Sequence, residues 1–178
     1  MQATNCPEVT IKKPSECTAE EIQGFVAFVL AGGEVMTAGL DERVRKAEFL
    51  VFLSQDGCLK GIAAVMKPAP DYRNRVFQKA HASRQDTAFP FELGWVFVLP
   101  SSRGAGFSHK LVNASLSTIS GQGIFAASRT DNRAMHRVLK AHGLFSVGQP
   151  YTSSQGNHQL ILFASRTATE SGASVDAS

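Results

Sequence analysis

The chain is poor in the features that mark several large protein classes. Of its 178 residues only three are cysteine, Cys6, Cys17 and Cys58. That odd number, without any C-x-x-C spacing, excludes a disulfide scaffold and a zinc ribbon. Its five histidines form no H-E-x-x-H, and His136 and His142 stand six apart, so no metal site is expected. No apolar run approaches the roughly 20 residues of a membrane span, since even the run over residues 25–30 is cut short by Gly32-Gly33. Lys and Arg exceed Asp and Glu by only 18 to 15, and the resulting net charge of +3 is spread along the chain. A nucleic-acid partner ranks last among the readings, because no basic run is dense enough to follow a phosphate backbone. No charged-then-apolar segment opens the sequence, so the thiols are expected to be reduced and the protein cytoplasmic, with no membrane partner.

What remains is an ordinary globular balance, 43% hydrophobic and 19% charged, which predicts one domain over residues 1–165. The stretch from 166 to 178 is small and polar, and is expected to be a disordered tail.

Punctuation along the chain predicts the elements. Val9-Thr10-Ile11 reads as an opening strand. Thr18 and Glu21 form a capping box ahead of a helix carrying Ile22, Phe25, Val26, Val29 and Leu30. A second helical stretch over 40–47 leads into an apolar strand over 48–54, and Asp56-Gly57 turns the chain into a returning strand over 61–66. Residues 67–90, bracketed by Pro68, Pro70 and Pro90, read as a long polar excursion with a helical turn or two. The nearly continuous apolar run over 91–98 is expected at the centre of the sheet, covered on both faces. A helix with Phe107, Leu111, Val112, Leu116 and Ile119 inside follows, stopped by Gly121, and then a strand over 124–127. Asp131 or Asn132 caps a helix ended by Gly143, and strands over 144–147 and 159–164 form a closing hairpin.

Between the apolar run and its helix lies Leu99-Pro100-Ser101-Ser102-Arg103-Gly104-Ala105-Gly106. A strand that delivers a glycine turn into a helix gathers free backbone N–H groups and the positive end of the helix dipole at one point, which suits an anion. Arg103 adds a positive charge beside it. No G-K-[ST] follows, and His109 stands three residues after Gly106, so neither a Walker loop nor a dinucleotide fingerprint is present.

The run Val98-Leu99-Pro100-Ser101-Ser102-Arg103-Gly104-Ala105-Gly106 resembles the V-x-P-x-x-R-G-x-G cofactor loop of the GNAT superfamily of acetyl-CoA-dependent N-acyltransferases. Asn132, followed eleven positions later by Gly143-Leu144, resembles a second signature of that family, and the element order agrees over residues 8 to 164. The resemblance implies a mixed α/β (α+β) fold, with a central, mostly antiparallel sheet of six or seven strands flanked by helices. It implies acetyl-CoA as co-substrate, with amides of Arg103, Gly104, Ala105, Gly106, Phe107 and Ser108 on the pyrophosphate. Main-chain atoms of Val96, Phe97 and Val98 would lie along the pantetheine and acetyl group, and Asn132 would touch the cofactor from another side. A primary amine, on a small molecule or a protein, is the implied acceptor. A homodimer is common among such proteins.

Two positions depart from the pattern. Ser101 stands where a Gln or Arg often contacts the pyrophosphate, and Leu139 replaces the tyrosine that often protonates the leaving thiolate. The catalytic candidates are therefore Glu92, where family members sometimes place a general base, and Tyr151, just after Pro150. Each has a plainer reading, as a solvated strand-end carboxylate and as an edge aromatic. The two departures also motivate an alternative function, a non-catalytic CoA or acyl-CoA binder serving as sensor or scaffold.

Overall fold

A computed structural model describes residues 6–33 and 35–166, without the side chains of Arg84 and Gln85. The expected tail lies outside the described residues from 167 onward. Seven strands, β1 (Glu8–Lys12), β2 (Phe49–Gln55), β3 (Cys58–Met66), β4 (Phe91–Val98), β5 (Ile124–Arg129), β6 (Leu144–Thr152) and β7 (Gln159–Ser165), form one sheet in the order β1-β2-β3-β4-β5-β7-β6. The central place expected for the 91–98 run is the one β4 occupies. The β1–β2, β2–β3, β5–β7 and β6–β7 pairs are antiparallel, and β4 meets β5 in parallel at Phe91–Ile124 and Glu92–Phe125. The helices are α1 (Ala19–Ala31), α2 (Leu40–Arg45), α3 (Pro70–Lys79), α4 (Phe107–Ser117) and α5 (Arg133–Ala141).

The chain divides into two compact units. One comprises the described residues up to Lys67 together with Leu93–Ser120; the other comprises Pro68–Glu92 and the described residues from Gly121 onward. In the first, the capping box forms as expected: the Glu21 N–H donates to Thr18 Oγ1 at 3.2 Å, and the Thr18 N–H donates to a Glu21 carboxylate oxygen at 2.9 Å. Strand alternation then sends side chains to two cores. Leu50, Phe52, Ile62 and Ala64 pack with Ile22, Phe25 and Val29 of α1 and with Leu40 and Val44 of α2. Val51, Leu53 and Ala63 pack with Val98, Phe107 and Leu111. Both faces of β2 and β3 are thus covered, which is why they read as unbroken apolar runs. α4 ends at Ser117, before Ile119, which is nonetheless buried.

In the second unit two expectations are corrected. The 67–90 excursion contains the ten-residue helix α3 and a 3₁₀ segment, Ser83–Ala88. Pro70 starts α3 instead of breaking a loop, because its missing N–H and fixed φ suit the first helical position. The closing hairpin is also longer than expected: β6 runs to Thr152, across a register irregularity between Val147 and Tyr151. There the Gln149 N–H donates to the Ala80 carbonyl at 2.7 Å. Gly148, at φ +67, lies so close to that carbonyl that a Cβ would stand 1.8 Å from the oxygen. Phe77, fully buried, stacks on Phe89 at 5.6 Å and meets Phe125 edge-on at 5.3 Å, holding α3 to this core.

Candidate active site

In the first unit the site is built on the end of β4 and the start of α4. Trp95 has φ +51, a left-handed conformation uncommon for a bulky residue inside a strand. Its ring meets Phe25 edge-on at 6.0 Å. Beyond this kink Val96 and Phe97 are half-buried and Val98 is buried. The strand passes into a 3₁₀ turn, Pro100–Ser102, where the Ser102 N–H donates to the Leu99 carbonyl at 2.8 Å and the Arg103 N–H to the Pro100 carbonyl at 3.3 Å. The Arg103 amide is therefore engaged within the turn.

The next five amides differ. At the start of α4 the Lys110 N–H donates to the Gly106 carbonyl at 3.2 Å, and no side chain makes a cap bond there. Among the described residues, the N–H groups of Gly104, Ala105, Gly106, Phe107 and Ser108 donate to no backbone carbonyl. Gly104 and Gly106 take φ +86 and +76, with nothing within 4 Å of where a Cβ would lie. The result is an exposed loop with uncommitted donors ahead of an eleven-residue helix, and its donor chemistry fits a diphosphate. Arg103 is tethered beside it: Nε–H donates to the Val98 carbonyl at 3.2 Å and the guanidinium lies 5.9 Å from the Phe97 ring centroid. Its charge is held back along the strand.

The second unit contains the other candidates. Asn132 caps α5, its Oδ1 accepting the Met135 N–H at 3.1 Å, so that oxygen is occupied and the amide NH₂ is its remaining donor. Leu139 is 1% exposed and brings no hydroxyl to any surface. Glu92, half-buried on β4, accepts a hydrogen bond from the Tyr72 hydroxyl at 3.2 Å. Burial pushes the Glu92 carboxyl up from 4.5 to about 7, against the Tyr72 hydrogen bond, which favours the ionised form. Tyr151 is 8% exposed, and burial first, then the charge of Glu92, pushes its phenol up to about 12. The Tyr72 phenol is raised by the same two causes in the same order, although 42% of the residue is exposed. Both tyrosines of the chain therefore sit in the field of one carboxylate.

Sequence reasoning named Glu92 and Tyr151 but missed Tyr72. The available signal was Pro70 at a helix start with Tyr72, Val76 and Ala80 four residues apart on one face. Among the described residues no three His, Cys, Asp or Glu side chains gather as a metal-binding set, and no helix is long and apolar enough to cross a membrane.

By sequence the chain matches no family model and no curated protein. By structure it matches an acyl-CoA N-acyltransferase from Pseudomonas aeruginosa with a TM-score of 0.63 at 13% identity, over 90% of this chain and 100% of that one. It also matches a GNAT-family acetyltransferase from Bacillus cereus with a TM-score of 0.62 at 15% identity, over 90% and 98% of the two chains. The chain has the GNAT fold. A third structure with this fold, yncA from Salmonella typhimurium with its cofactor acetyl-CoA, aligns with a TM-score of 0.62 at 17% identity over 90% of this chain and 93% of that one. At these identities the likeness fixes the architecture, and the chemistry must be argued from the residues of this GNAT-fold chain.

Proposed function

We propose that this chain transfers an acetyl group from acetyl-CoA to a primary amine carried by a small molecule or a protein. The observation that carries the reading is the run of five amides from Gly104 to Ser108 that, among the described residues, donate to no backbone carbonyl, presented by a GNAT fold at the start of α4. Acetyl-CoA supplies the activated acyl group as a thioester. The loop amides grip its diphosphate, helped by the α4 dipole, and a main-chain N–H at Phe97 or Val98 polarises the thioester carbonyl.

Glu92 serves as general base, taking the proton of the acceptor ammonium directly or through water. With its carboxyl pushed up to about 7, it is ionised in roughly half the molecules at neutral pH and takes up a proton far more readily than an ordinary glutamate. Tyr151, held protonated by its burial, acts as a hydrogen-bond donor. A phenol at about 12 gives its proton to a thiolate only uphill, since a thiol titrates near ~8.5. Hydrogen bonding, without full transfer, is therefore the role assigned to it.

Free thiol release from acetyl-CoA, followed with and without a panel of small amines and peptides, tests this. Acceptor-dependent thiol is the expected result. Calorimetric binding of CoA with no thiol released for any amine would overturn it, in favour of a non-catalytic acyl-CoA binder. The buried Leu139, in the place of an acid, is the observation that favours that second reading.

A further inference from the structure

Glu92 is a half-buried carboxylate that pairs with no cation among the described residues. The two influences on it are the loss of water, which disfavours its charge, and one hydrogen bond, from Tyr72. Its strand neighbour across the ladder is Phe125, which offers no charge. From β6 it faces the phenol of Tyr151, and from α3 that of Tyr72, which itself feels Arg75. Among the described residues, the one group that donates to the carboxylate thus belongs to a helix twenty residues away in sequence.

That helix is fixed at several points. Arg73 Nε lies 3.9 Å from the Asp86 carboxylate, with both side chains mostly buried. Phe77 is clamped between Phe89 and Phe125. The carbonyl of Ala80, just past the C-terminal end, takes the Gln149 N–H, and Gly148 approaches it without a side chain. A Tyr72 on a wandering loop would contact Glu92 intermittently, whereas one on the first turn of an anchored helix holds it.

We propose that Tyr72 is the positioning residue of Glu92, donating its phenol hydrogen to Oε1 so that the carboxylate stays oriented and sufficiently ionised to accept a proton from the acceptor. The inference rests on the proposed base role of Glu92, and its test is separable from that reading. Two properties follow. The hydrogen bond opposes burial, so removing it makes the carboxyl harder to ionise. With 42% of Tyr72 exposed, Tyr72→Phe keeps the ring and loses only the donor.

The experiment titrates Glu92 by carbon NMR in protein labelled at the glutamate carboxyl, with the signal assigned by its loss in Glu92→Gln and with no acceptor or CoA present. Tyr72→Phe should raise the Glu92 midpoint by about half to one pH unit, the scale of one hydrogen bond to a partly solvated charge. In the transfer assay the acid limb of kcat/KM should move by the same amount while the KM for acetyl-CoA stays put, a pattern that a packing defect would not produce. A Glu92 midpoint that stays within about 0.2 pH unit of the wild type, or one that moves while the acid limb does not, overturns the proposal. If the wild-type protein transfers nothing to any amine, the proposed function fails, and the NMR titration still decides whether Tyr72 governs Glu92.

Discussion

Replacing Glu92 with Gln should make the protein more stable above neutral pH while it removes the base. In the unfolded chain the carboxyl titrates near 4.5, and in the folded chain near 7. Between those values the folded state holds a proton that the unfolded state has released, so unfolding free energy falls as pH rises from about 4.5 to about 7 and is level beyond. At about 1.4 kcal/mol per pH unit the full gap is worth about 3 kcal/mol. Glu92 is half-buried, and water screening reduces this to about 1–2 kcal/mol. Gln is isosteric, still accepts from the Tyr72 hydroxyl, and does not titrate. Urea unfolding of both proteins at pH 4 and pH 8 isolates the term, because every other carboxylate contributes equally to the two. The variant should match the wild type at the lower pH and exceed it by about 1–2 kcal/mol at the higher. Its transfer rate should drop by about 10²–10⁴. A stability difference that is the same at both pH values would refute the desolvation argument and, with it, the raised basicity of Glu92.

Two glycine substitutions separate binding from folding. Gly104→Ala meets no neighbour but must hold φ +86, so it should cost about 1 kcal/mol in urea unfolding while abolishing CoA binding by calorimetry. Gly148→Ala would drive a methyl onto the Ala80 carbonyl. It should lower unfolding free energy by more than about 2 kcal/mol and leave the CoA affinity of the loop unchanged.

The elements that were legible in the sequence are those whose signals are local. The Thr18–Glu21 capping box and the Asn132 cap each depend on a side chain meeting a backbone group three residues away, the Asp56-Gly57 hairpin depends on two adjacent residues taking positive φ (55 and 71), and each forms as read. The apolar alternation hidden in β2 resolves into two cores only because helices cover both faces. α3 was obscured by its composition: its ten residues include Asp71, Arg73, Asn74, Arg75, Gln78 and Lys79, with Val76 and Phe77 as the buried pair. Its helical state is enforced by tertiary burial of Phe77 more than by propensity. The candidate site divides the same way. The glycine loop could be read because its function lies in its own backbone, whereas the Tyr72–Glu92 contact joins residues twenty apart, and no spacing rule announces such a pair.

The backbone of Trp95 has one further consequence. A left-handed residue in a strand costs about 1–2 kcal/mol, and here the penalty falls on the largest side chain available, wedged against Phe25. Moving the kink one position forward would hand that conformation to Val96, whose branched side chain tolerates it still less; moving it back would hand it to Gly94, which accepts it, so on that side only the seat of the indole against Phe25 resists the slip. The indole's packing, more than backbone strain, holds the kink in place. It acts as a detent that sets the phase of every peptide unit between Trp95 and the glycine loop, so a single-residue insertion there should scramble which amides point outward even though the strand would still form.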